Sequence, residues 1–215
     1  MSEGRYHPSA TLMAGGNVLV AGGYNLSQWL TSADLYNPST GTFTATGALT
    51  TRRYAHGAVA NPAGNKVYVF GGGNTGDISS VEVYSGGTWS SGGALAQARF
   101  AIHNSTALWG ENGNTVFLSG GMQAGVGATS SEVYNLTTQT SSLLSASFTA
   151  ATGHGGHPAV RFMGGRMLVA GGYDHSGVLT AAAEYYEDCA AACDDGIACT
   201  VDACSPSGCT HTSSC

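Results

Sequence analysis

Four stretches of the chain read almost alike: VLVAGG at 18 to 23, VYVFGG at 67 to 72, VFLSGG at 116 to 121 and MLVAGG at 167 to 172. Their first glycines, Gly22, Gly71, Gly120 and Gly171, follow one another at spacings of 49, 49 and 51 residues. A fixed period is the mark of an architecture built by stacking one supersecondary unit, so the repeat decides the fold before any single residue does. Each apolar run suits a strand buried on both faces, where β-branched and aromatic side chains pack well. The glycine pair that ends it, continued by Gly23, Gly72, Gly121 and Gly172, lets the chain leave through backbone angles that other residues avoid.

More of the unit recurs in phase. An acid, an apolar residue and a tyrosine follow each pair: Asp34-Leu35-Tyr36, Glu82-Val83-Tyr84, Glu132-Val133-Tyr134 and Glu184-Tyr185-Tyr186. The tyrosines lie 14, 13, 14 and 15 residues past their first glycine. In two repeats an aromatic then follows a glycine-containing turn, Phe43 after Gly41 and Trp89 after Gly86-Gly87, while the third has Thr138-Gln139-Thr140 there. This combination of double glycine, tyrosine and late aromatic resembles the kelch repeat over roughly residues 1–187, in units of about 1–49, 50–95, 96–148 and 149–187. The resemblance implies an all-β fold, a kelch-type β-propeller of about four blades, in which the aromatics wedge between neighbouring sheets and bury about 150 Å² or more each. On this reading the glycine pairs, Tyr36, Tyr84, Trp89, Tyr134 and Tyr186 build the blades and form no site.

Composition narrows the function. Only 9% of the 215 residues are charged and 33 are glycine, which suits a turn-rich β protein. Seven Lys plus Arg stand against 13 Asp plus Glu, a net charge of −6 that offers no basic stripe for a nucleic acid. No apolar run approaches the roughly 20 residues of a spanning helix, and the first residues lack the build of a signal peptide. There is no nucleophile elbow, no HExxH and no Walker-type phosphate loop.

Ahead of each glycine pair stands a histidine, His7, His56, His103 and His157, and in three repeats an arginine precedes it: Arg5, Arg52 (with Arg53) and Arg99. The fourth repeat has Thr152-Gly153-His154 instead. In kelch propellers this stretch turns into the innermost strand at one rim of the central channel. The resemblance therefore makes Arg5, His7, Arg52, His56, Arg99, His103 and His157 candidates for a ligand-binding, locally basic rim, with a structural role inside each blade as the competing assignment. Arg5-Tyr6-His7 and the strands after it also look like the blade sequence that carries copper ligands in galactose oxidase and related copper radical oxidases. That family's cofactor is a tyrosine cross-linked to a cysteine inside the propeller, and here every cysteine lies at 189 or beyond. The expectation is a non-catalytic binding protein with no cofactor and no bound metal, its ligand a protein or a glycan; the alternative is a relative of those oxidases without a complete copper site.

At Asp188 the composition changes. Cys189, Cys193, Cys199, Cys204, Cys209 and Cys215 fall within 27 residues that carry almost no apolar side chains, so covalent bridges have to replace a core. Six cysteines allow 15 pairings, which the sequence leaves open. Zinc is the competing assignment, though only Cys189 and Cys193 have knuckle spacing and only His211 stands near. Residues 188–215 thus read as a disulfide module similar to those ending secreted or surface proteins of bacteria, and point outside the cell. Met1 falls where the end of a preceding blade belongs, and the cysteines begin where a fourth strand of the last blade belongs. The sequence therefore suggests a piece of a larger propeller, with further blades and a signal peptide upstream.

Overall fold

The computed structural model describes residues 1–103, 105–109, 113–144, 155–161, 167–186, 200–205 and 208–213. Each apolar run before a glycine pair becomes the second strand of an antiparallel sheet. The first sheet is β1 (Ser9–Leu12), β2 (Val18–Ala21), β3 (Ala33–Asn37) and β4 (Thr42–Thr46), hydrogen-bonded in chain order. The second repeats it with β5 (Gly57–Ala60), β6 (Lys66–Phe70), β7 (Ser80–Ser85) and β8 (Thr88–Ala94). The third uses β9 (Thr106–Trp109) and β10 (Thr115–Ser119), then a small ribbon, β11 (Met122–Gln123) with β12 (Val126–Gly127), then β13 (Ser131–Asn135) and β14 (Thr140–Leu143). The fourth has β15 (Ala159–Arg161), β16 (Met167–Ala170) and β17 (Ala183–Tyr186). The described residues contain no helix, so the protein is all-β.

The repeated residues hold equivalent places in register. Val18 pairs with Tyr36, Val67 with Tyr84, Val116 with Tyr134 and Met167 with Tyr186. The first strands of successive sheets are neighbours, β1 with β5, β5 with β9 and β9 with β15, so the sheets stack face on face in chain order. Leu19, Ala21 and Ala33 pack against Val67, Val69 and Tyr84 between the first two sheets. Tyr68, Phe70 and Val83 meet Val116, Leu118 and Tyr134 between the next two, and Phe117 meets Met167 and Val169 in the last contact. The aromatics also tie sheet to sheet through their polar ends. Trp89 Nε1 donates to the Gly47 carbonyl at 2.7 Å, the Tyr84 hydroxyl bonds Thr46 Oγ1 at 2.7 Å, and the Tyr134 hydroxyl donates to the Gly92 carbonyl. Burial pushes the Tyr134 phenol well above its ordinary range.

Gly22 shows why the double glycine is needed. Its φ is +62°, and a Cβ there would lie 2.6 Å from the Arg53 carbonyl oxygen of the next sheet. Gly71 has the same relation to Arg99, with φ +56° and 2.5 Å. Close approach and left-handed backbone coincide, and only glycine meets both demands.

Of the cysteine segment, β18 (Thr200–Ser205) and β19 (Gly208–Ser213) pair antiparallel and set Cys204 opposite Cys209. Cys189, Cys193, Cys199 and Cys215 lie outside the described residues. Among the described residues no helix is long and apolar enough to cross a membrane.

Candidate functional site

The stretch ahead of each glycine pair splits into two rows with opposite fates. The first row is arginine. Arg5 Nη1 donates to the carbonyls of Gly22 and Ser32 at 3.0 and 2.8 Å, and its Nη2 to Ser32 Oγ and Asp34 Oδ2 at 3.2 and 2.8 Å. Arg53 repeats this on Gly71, Ser80 and Glu82, with Nη2 to Glu82 Oε1 at 2.9 Å. Arg99 does so on Gly120 and Ser130, its Nε 2.8 Å from Glu132 Oε1. All three guanidinium groups are buried. Their carboxylate partners also accept backbone N–H groups from the chain entering the sheet: Ser2 on Asp34, Thr50 and Thr51 on Glu82, Ala96 on Glu132. The fork geometry of arginine reaches two carbonyls and a carboxylate at once, which a lysine cannot do.

The arginines therefore do not form the basic rim that the sequence suggested. Arg5 and Arg99 spend their donors inside the sheets, and the equivalent residue in the second repeat is Arg53, not Arg52. Arg52 is exposed. The acid of the acid–apolar–tyrosine motif turns out to be the arginine's partner, a role the sequence reading did not assign.

The second row begins one residue later. Tyr6, Tyr54, Phe100 and Gly155 each pair through two backbone hydrogen bonds with the residue after a glycine pair, respectively Tyr24, Gly73, Met122 and Tyr173. The next residue in each case is left-handed: His7 at φ +49°, Ala55 at +52°, Ala101 at +57° and Gly156 at +66°. Three of these four are not glycine, and such backbone persists only where the surroundings enforce it. The Ala55 N–H donates to the His7 carbonyl, and the Ile102 N–H to that of Ala55, linking the turns from sheet to sheet.

All four left-handed residues line one cavity of about 470 Å³, together with Tyr6, Tyr54, Phe100, His103, Met122 and Tyr173. Its rings lie close to one another. Tyr54 and Phe100 have centroids 5.7 Å apart, Tyr6 and His7 3.9 Å, and His7 meets His103 of the third sheet at 4.7 Å. Burial, and then the charge of His7, holds the His103 imidazole below its ordinary range.

The four histidines are thus not equivalent. His7 and His103 face the cavity. His56 and His157 sit one residue past the left-handed position and are fully buried, with Nε2 bonded to Ser9 Oγ at 2.9 Å and to Ser119 Oγ at 2.7 Å. Burial, then the charges of Arg53 and His103, press the His56 pKa down to about 3, so it is neutral at any working pH. The signal that would have found the cavity was present in the sequence: an aromatic directly follows the buried arginine in Arg5-Tyr6, Arg53-Tyr54 and Arg99-Phe100.

Among the described residues no carboxylate and no thiol lines the cavity, and no three His, Cys, Asp or Glu side chains converge as a metal site would require. No known protein family matches the chain, and no curated protein matches it either.

Proposed function

We propose that the chain is built as about four blades of a kelch-type β-propeller, an incomplete one, and works outside the cell as a non-catalytic binding protein. The fifty-residue period, the four successive antiparallel sheets and their adjacent first strands support that architecture. The observation that carries the function is the cavity where the four left-handed turns converge. Its size falls within the roughly 300–1,000 Å³ of small-ligand sites, and aromatic faces beside two imidazoles suit a sugar ring, which offers C–H faces to the rings and hydroxyls to the nitrogens. The ligand on this reading is a glycan.

A glycan and protein array with the intact chain tests it, followed by titration of the best binder. Tyr54→Ala should weaken that binder about tenfold, the scale of one lost aromatic contact, with the circular dichroism spectrum unchanged. Binding that ignores Tyr54→Ala, or retention of protein probes alone, overturns the glycan reading. Copper added to the same protein separates the alternative, an oxidase relative: a stoichiometric site with a copper spin-resonance signal would favour it.

The cysteine segment supports the extracellular part of the proposal. Directly opposed residues of an antiparallel pair have Cα atoms about 4.5–5.5 Å apart, within the span of a disulfide, and Cys204 and Cys209 are so opposed. Protein from an oxidising compartment should gain six hydrogens on reduction, one for each cysteine. Free thiols or retained zinc would count against it.

A further inference from the structure

Every contact between sheets has the same polarity. The face carrying Leu19, Tyr68 or Phe117 on the earlier sheet meets the face carrying Val67, Val116 or Met167 on the later one. Among the described residues two faces are left over. The fourth sheet keeps an uncovered face of the earlier kind: Leu168 stands where Leu19, Tyr68 and Phe117 stand, yet is 38% exposed against 1%, 3% and 0%, and its cross-strand neighbour Val160 is 56% exposed. The first sheet keeps an uncovered face of the later kind, where Leu12, Val18, Tyr36 and Phe43 lie in one cross-strand row.

That row copies a covered one. Tyr36 and Phe43 pack at 4.9 Å as Tyr84 and Trp89 do at 5.2 Å, but Tyr84 and Trp89 lie against the sheet before them, whereas Phe43 is 39% and Leu12 66% exposed. The aromatic row makes the same point. Tyr54 rests on Tyr24 of the preceding sheet at 6.3 Å, while Tyr6, the first of its kind, is 58% exposed beside an open notch of about 480 Å³ that Tyr24 and Leu26 also line. Tyr173, the fourth-sheet counterpart of Tyr24, is 46% exposed.

We infer that two copies of this chain associate head to tail, the outer face of β15–β17 in one copy covering the outer face of β1–β4 in the next. The two leftover faces are the two halves of a contact that the chain already makes three times, and a second copy carries both. Tyr173 of one copy then occupies the notch beside Tyr6 of the other, as Tyr24 stands against Tyr54 within the chain. The contact is heterologous, so it joins unlike surfaces and leaves each copy a free end unless a ring closes. Tyr6 and Tyr173 also line the cavity, whereas Leu12, Phe43, Val160 and Leu168 do not, so the two faces can be tested apart from the cavity.

Sedimentation of the full chain over a range of concentrations tests it. The unaltered chain should self-associate. Phe43→Asp damages one half of the contact and Val160→Asp the other, and each alone should weaken association at least about tenfold, as loss of a buried anchor does. An equimolar mixture of the two variants retains one intact contact and should recover pairs that grow no further. Leu12→Glu and Leu168→Glu repeat the design at other exposed positions, and unchanged circular dichroism shows that the variants fold. A chain that stays monomeric throughout, variants that associate like the original, or a mixture no better than either variant alone overturns the proposal. Glycan binding measured on the Phe43→Asp chain keeps the fate of the cavity reading separate.

Discussion

The arginine row and the aromatic row lie one residue apart in sequence and do opposite things. Arg5, Arg53 and Arg99 turn inward, held by carbonyls and a carboxylate, while Tyr6, Tyr54 and Phe100 turn to a common cavity. Successive side chains of extended backbone point to opposite sides, and the left-handed residue that follows fixes the direction of the turn. The charged row therefore holds each sheet to its neighbour, and the apolar row is what a ligand meets. In this protein the most polar residues of the repeat are structural and the greasy ones are available.

The largest test of that division is Arg53→Ala. It strands Glu82 as an unpaired buried charge and should cost about 3–5 kcal/mol of stability by chemical denaturation. A loss below 1 kcal/mol would return the arginine row to the surface. Gly71→Val attacks the same junction from the carbonyl side. Left-handed backbone alone costs a branched residue about 1–3 kcal/mol, and the Arg99 carbonyl stands where the new Cβ must go, so the melting temperature should drop clearly. A tolerated valine would show that the close approach is not needed.

A pH titration sharpens the comparison between the two kinds of histidine. The folded protein keeps His56 neutral down to about 3, whereas an unfolded chain takes up that proton near 6.5. The unfolded state thus binds more protons between those values, so stability is fully present above 6.5 and falls with pH below it, by at most about 1.4 kcal/mol per pH unit from this group. His103, lowered in the same sense, adds to the slope. His56→Gln should flatten the profile; an unchanged slope would place the proton uptake elsewhere. The smallest effect is expected from Arg52→Ala, next door to Arg53, which should move stability by no more than about 0.5 kcal/mol. A larger loss would mean that the two arginines share the ion pair.

The sequence determined the strand–glycine–glycine period, the number of repeats, the all-β class and the tyrosine of each third strand, because these depend on local backbone preference and on which residues recur at a fixed count. Counting was also where it went astray. Histidines 15, 15, 17 and 14 residues ahead of a glycine pair read as one position, but the turns differ in length by a residue or two. Only the tertiary structure decided that His56 and His157 are equivalent core residues, that His7 shares its place with Ala55, Ala101 and Gly156, and that Arg53 takes the ion pair while Arg52 faces solvent. The physical reason is that register across a sheet, and the hand of one turn, set which side of the backbone a side chain leaves from. A slip of one residue moves it from the interior to the surface, and no count along the chain records that slip.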